Sequence, residues 1–168
     1  LRDGATLGGS EREVTVMFCD LRGFTPLSER LPAPALVALL NRYLERMSVA
    51  IEAEGGVIDK FIGDAIMALF GAPVARPDAA DRAMRAALAM RAALAALNAE
   101  LAAEGAPALA CGLGLNTGRV VLGNIGSARR HNYSAIGDAV NVAARLQTLT
   151  REPAHATDII VAEATLAA

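Results

Sequence analysis

VIDKFIGDAIMALF, Val57 to Phe70, is two short apolar runs hinged on Gly63 and Asp64. Val57, Ile58, Phe61 and Ile62 lead in, and Ile66, Met67, Leu69 and Phe70 lead out. Runs of strand length around a Gly-Asp pair predict a β-hairpin. Its tip carries a carboxylate, Asp64, with Lys60 just before it. Turn chemistry alone accounts for an aspartate at a tip. A chemical role for Asp64 needs a second group beside it, and the order of elements around the hairpin supplies one.

Upstream, Glu13 to Asp20 (EVTVMFCD) is a β-branched and aromatic run ending in an acid, read as a strand. Leu21 to Thr25 is a turn, and Thr25–Pro26 reads as a helix N-cap with proline at the first helical position. Pro32 and Pro34 split off a short first helix. Leu36, Leu39, Leu40, Tyr43, Leu44 and Met47 then keep helical spacing up to Gly55–Gly56.

Downstream, Asp78 is a cap candidate for an alanine-rich helix running to about Glu104. Ala110 to Leu115 and Val120 to Ile125 read as a strand pair separated by Asn116–Thr117–Gly118. Gly126 to Asn132 reads as a basic loop, Tyr133 to Ile136 as a short strand, Gly137–Asp138 as the start of a helix to about Leu149, and Asp158 to Val161 as a last strand. The fold class is α+β: a ferredoxin-like βαββαβ core with an appended β-α-β, its antiparallel central sheet flanked by helices.

A chain of 168 residues fits one domain with a sizeable core. Residues 1–12 are expected to be a flexible lead-in and 13–168 the domain. The formal charge of −2 gives no footprint for nucleic acid or for a membrane surface. Cys19 and Cys111 match neither zinc nor redox spacing and read as reduced buried thiols. No apolar run is expected to span a membrane, and Leu1 to Ser10 lacks the apolar core of a secretory signal. The chain begins without methionine, so a regulatory domain or anchor is expected elsewhere in a longer protein.

In the ferredoxin-like arrangement the first and third strands are antiparallel neighbours. Asp20, ending one, should therefore face Asp64, opening the other. Two close carboxylates repel unless a cation lies between them, and oxygen ligands of this kind suit Mg²⁺ or Mn²⁺. The adjacent turn, with Gly23 and free amides at a helix start, suits a phosphate. Carboxylates beside a phosphate turn point to metal-assisted phosphoryl transfer. Asn141 and Arg145, four apart, share one helical face, and arginine suits charge developing on phosphate. His131 and His155 are read as loop residues, so no general base is evident.

FCDLRGFT, GGVIDKFIGDAIMALFG and NYSAIGDAVNVAARL together resemble the signature segments of class III nucleotidyl cyclases, the adenylate and guanylate cyclase catalytic domain, within the threonine- or serine-bearing bacterial and soluble-type subgroup. The resemblance runs from about Glu13 to Val161. It implies conversion of ATP to 3′,5′-cyclic AMP and pyrophosphate, by attack of the ribose 3′-hydroxyl on the α-phosphate with two divalent cations, Mg²⁺ or Mn²⁺. Asp20, Asp64 and the Leu21 backbone would hold the ions. The backbone of Leu21, Arg22, Gly23, Phe24 and Thr25 would hold the β- and γ-phosphates. Lys60 and Ser134 would select the purine, Asn141 would orient the ribose, and Arg145 would stabilise the pentavalent phosphorus. Each site would be shared between two chains of a head-to-tail homodimer, in the cytoplasm where ATP is. The family domain also continues past this end point with a triphosphate-binding lysine. The competing expectations are a guanylate or mixed-specificity cyclase, a catalytically silent dimerisation or nucleotide-sensing module, and a diguanylate cyclase or polymerase palm on the same core.

Overall fold

The computed structural model describes residues 9–127, 130–155 and 157–168. In chain order these form β1 (Gly9–Arg22), α1 (Phe24–Arg30), α2 (Ala33–Ala53), β2 (Val57–Ile62), β3 (Ala65–Phe70) and α3 (Ala79–Ala103). Then follow β4 (Ala110–Ser127), β5 (Arg130–Ile136), α4 (Asp138–Leu149), β6 (Ile159–Val161) and α5 (Glu163–Leu166). The sheet order is β2-β3-β1-β4-β5, with β6 parallel to β4. β1 and β3 are antiparallel neighbours, as the ferredoxin-like reading requires.

The central strands are apolar on both faces because both faces are covered. Met17, Cys19 and Leu21 of β1, Ile66, Ala68 and Phe70 of β3, and Leu113 and Leu115 of β4 pack against α2 and α3. The alternate residues Val14, Val16, Met67, Leu69, Val120 and Leu122 form a second cluster, completed by Ala143 of α4. Asp20 is on the second of these faces by strand alternation.

Several boundaries differ from the sequence reading. β4 is one strand, not a pair: Asn116, Thr117 and Gly118 lie opposite Val16, Thr15 and Val14 of β1. Their polar groups find partners without a turn, Thr117 Oγ1 at 2.8 Å from Thr15 Oγ1 and Asn116 Nδ2 donating to the Ala139 carbonyl at 3.0 Å. The expected basic loop is largely the two arms of the β4–β5 hairpin, so His131 falls in β5. Strand pairing begins at Gly9, opposite Gly123, so residues 9–12 belong to β1; residues 1–8 of the expected lead-in lie outside the described residues.

The cap of α1 is Gly23 rather than Thr25. Asp78 stands at the start of α3, but its carboxylate takes the Arg82 Nε donor at 2.7 Å instead of capping amides. α3 is, by length and composition, apolar enough to cross a membrane, contrary to expectation. Much of that hydropathy is alanine, and the stripe Ala83, Ala87, Met90, Leu94, Leu97 and Leu101 is buried. Cys19 and Cys111 are both buried and free, with Cys19 Sγ 3.2 Å from the Tyr43 hydroxyl.

α4 is seated on β4 at Gly114, where a methyl group would collide with the backbone of Ala143 and Gln147. Gly114→Val is therefore expected to destabilise the domain by about 2–3 kcal/mol. A thermal melt followed by circular dichroism reads the loss, and an unchanged midpoint would refute the close approach.

Candidate active site

β1 and β3 pair up to Cys19 opposite Ile66, so the next residues outward bring Asp20 beside Asp64. The two carboxyl groups line one recess, and burial together with the neighbouring Asp64 carboxylate holds Asp20 above the usual carboxylate range. The Arg151 guanidinium, from the turn after α4, opposes that rise by ion-pairing with Asp20. A recess of about 140 Å³ opens here, lined by Asp20, Leu21, Gly23, Thr25, Asp64 and Arg151.

The donor set fits a hard divalent cation. It offers two carboxylates and the Leu21 carbonyl, which lies 3.5 Å from Arg151 Nη2 at the edge of the recess. Among the described residues no group of three or more His, Cys, Asp and Glu side chains could hold a metal. A two-carboxylate site leaves coordination to water and substrate phosphate, the usual arrangement for Mg²⁺.

The turn expected to hold phosphate is made by Gly23, whose φ of 69° turns the chain from β1 directly into α1. The amides of Phe24 and Thr25 precede the first helical hydrogen bond, from Leu27 N to the Gly23 carbonyl at 3.4 Å. Arg22 contributes backbone here, since its guanidinium donates to the Thr157 carbonyl at 2.7 Å.

A second group assembles elsewhere on the same chain. Lys60 Nζ is 3.2 Å from Asp59 Oδ2, and Ser134 Oγ donates to the same oxygen at 2.9 Å. β2 and β5 stand at opposite ends of the strand order, so this contact requires the sheet to coil until its edges meet. Just beyond Ser134 lies a recess of about 480 Å³ lined by Ala135, Ile136, Gly137, Asp138, Val140 and Asn141. Asn141 and Arg145 are exposed on α4, while Ala143 and Gln147 are buried.

The chain thus unites Asp20 and Asp64 with the Gly23 turn, and Lys60 with Ser134. The two recesses share no residue. Arg151 and Asp59 were not singled out from sequence. Arg151 carries no motif, following a helix in an ordinary polar turn. Asp59 left a trace: an acid inside an apolar strand, directly before a lysine.

Residues 9–168 match the family model described as the adenylate and guanylate cyclase catalytic domain. The chain belongs to this family. An adenylate cyclase of Anabaena cylindrica is 40% identical over 158 residues, covering 92% of this chain and 30% of that protein. The chain therefore spans less than a third of that relative's length. Among solved structures, the guanylyl cyclase Cya2 is 40% identical with a TM-score of 0.87, covering 96% of this chain and 80% of that one. The adenylyl cyclase CyaB from P. aeruginosa is 38% identical with a TM-score of 0.87, covering 96% and 82%. Relatives named for both nucleotides thus stand equally near this cyclase domain, so the choice of base has to come from its own residues.

Proposed function

We propose that the domain is an adenylate cyclase that converts ATP to 3′,5′-cyclic AMP and pyrophosphate, at sites shared between two chains of a head-to-tail homodimer. The observation that carries this reading is the convergence of Asp20 and Asp64 on one recess beside the Gly23 turn. When bound there, divalent cations would make the ribose 3′-hydroxyl more acidic and neutralise charge on the triphosphate. Asp20, Asp64 and the Leu21 carbonyl would hold them, and the Phe24 and Thr25 amides would fix the terminal phosphates.

Asn141 would align the ribose so that the hydroxyl faces the α-phosphate, a gain of orientation. Arg145 would donate to the phosphoryl oxygens as charge accumulates on them. Lys60 has donors only, which suits the unprotonated ring nitrogen of adenine and repels the ring N–H of guanine. Ser134 would meet the exocyclic amino group.

Two features support assembly from two chains. The carboxylates and the Asn141 recess are separate within one chain. Large apolar side chains are also exposed around the base-side group: Val57, Phe61 and Ile62 of β2, and Tyr133 and Ile136 of β5. A two-fold dimer uses one patch twice and would create two equivalent sites.

The test is cyclic nucleotide production from ATP and from GTP, with Mg²⁺ or Mn²⁺, over a range of protein concentrations. Cyclic AMP with a specific activity that rises with concentration is expected. Preferential turnover of GTP would transfer the assignment to a guanylate cyclase. No product from either nucleotide would favour a silent module.

A further inference from the structure

The β2–β3 ladder skips a residue. Ile58 pairs with Ala68, but Lys60 pairs with Met67, leaving Asp59 as the extra residue of a bulge. Bulges re-aim side chains and are frequent beside active sites. Here the result is an aspartate whose side chain is 1% exposed while the adjacent Lys60 side chain is 47% exposed. Burying a carboxylate is unfavourable unless its oxygens are engaged. Asp59 engages Lys60 Nζ at 3.2 Å and Ser134 Oγ at 2.9 Å, both through Oδ2. An ion pair with a half-exposed lysine contributes little to stability. The arrangement has a sharper consequence for hydrogen bonding.

A serine hydroxyl has one hydrogen and can act as donor or acceptor. An ionised carboxylate can only accept. With its hydrogen committed to Asp59, Ser134 can offer a ligand nothing but lone pairs. At position 6 adenine carries an amino group, a donor, whereas guanine and hypoxanthine carry a carbonyl, an acceptor. An acceptor-only hydroxyl matches the first and leaves the second facing an unpaired oxygen. We propose that Asp59 is the positioning residue that enforces the choice of a 6-amino purine, by consuming the Ser134 hydrogen. This rests on the reading of Lys60 and Ser134 as the base-contacting pair. A free serine at this place would tolerate either purine; the buried aspartate beneath it removes that freedom.

The test compares kcat/KM for ATP and for ITP, which differ at position 6 and in the N1 proton that accompanies the carbonyl. Their ratio is independent of the fraction of active protein, so partial loss of folding does not distort it. The dissociation constants of 3′-deoxy-ATP and 3′-deoxy-ITP, which cannot cyclise, give the same ratio for a variant too slow to assay. Asp59→Asn can donate to Ser134 and release its hydrogen, and is expected to lower the ATP preference about tenfold or more. If Asp59→Asn does not fold, Asp59→Ser, whose hydroxyl also turns either way, carries the same expectation. Ser134→Ala should lower the ratio too, and Asp59→Asn added to it should lower it little further, since both act through one hydrogen bond. An Asp59→Asn ratio equal to wild type, with Ser134→Ala reduced, would overturn this inference and leave the base-contact reading standing. Fully additive losses would also overturn it, because Asp59 would then act by another route. If neither Ser134→Ala nor Lys60→Ala shifts the ratio, the base-contact reading itself fails.

Discussion

Asp20→Ala and Arg145→Ala should each lose cyclase activity by about 10³-fold or more, and an equal mixture of the two should recover about a quarter of it. The first variant removes a carboxylate from the recess proposed to hold metal, and the second removes the cation proposed to stabilise the phosphoryl group. Within one chain these groups belong to separate places: Asp20 lines one recess, while Arg145 is exposed on α4, whose N-terminal turn borders the other. In a heterodimer one site takes its aspartates from the Arg145→Ala chain and its arginine from the Asp20→Ala chain. That site is intact, and the other is doubly defective. Random exchange makes about half of the dimers heterodimers with one good site of two, hence the quarter. The measurement is cyclic AMP formation after the separately purified variants are mixed and allowed to exchange. Recovery at the level of the sum of the two variants alone would refute the shared site. Full activity in either variant would refute the assigned role.

Asp64→Asn should move activity and stability in opposite directions. Turnover is expected to fall about 10³-fold, because the proposed cation site loses one of two carboxylates. Without added metal, the same variant should melt about 2 °C higher than wild type at neutral pH. Asp20 is held above the ordinary carboxylate range chiefly by burial and then by the neighbouring Asp64 carboxylate. A raised acid binds its proton more tightly folded than unfolded, so its ionised form opposes folding. The penalty is present above the raised value, shrinks as pH falls through it, and is gone below the ordinary aspartate range. Asparagine removes the like charge, and Arg151 remains to pair with Asp20. The stability gain should therefore fade on acidification. Adding Mg²⁺ or Mn²⁺ should raise the wild-type melting temperature and leave the variant nearly unchanged. A variant that melts below wild type across the whole pH range would show that the carboxylate pair is not a source of strain. Stability set aside for function in this way is common at active sites.

Much of the candidate site was legible because its motifs are short and local. The Gly63–Asp64 hinge between two apolar runs placed one carboxylate, and the end of EVTVMFCD placed the other. Their juxtaposition followed from topology alone, since consecutive elements of β-α-β-β order leave few arrangements open. Asn141 and Arg145 were found as a pair because four residues is close to one helical turn. Tertiary partners override the usual habits of residues at two places. Asn116–Thr117–Gly118 has turn composition, yet a long partner strand and side-chain partners for Thr117 and Asn116 carry it straight through. Thr25–Pro26 resembles a cap, yet the left-handed conformation of Gly23 starts α1 two residues earlier.

The order of strands and helices, the two carboxylates at neighbouring strand ends, the Gly23 turn and the Asn/Arg face were determined by the sequence itself. Each depends on period, spacing or local backbone preference, which a chain carries with it. The meeting of Lys60, Asp59 and Ser134 belongs to the tertiary structure alone. It needs β2 and β5, 75 residues apart at their point of contact, to be brought edge to edge by the coiling of the sheet. It also needs a skipped residue in the β2–β3 ladder to turn Asp59 inward. Likewise Arg151 reaches Asp20 across 131 residues because α4 is pressed onto β4 where glycine leaves room. Twist, bulge and close approach are properties of packed elements, and no local pattern in the chain encodes them.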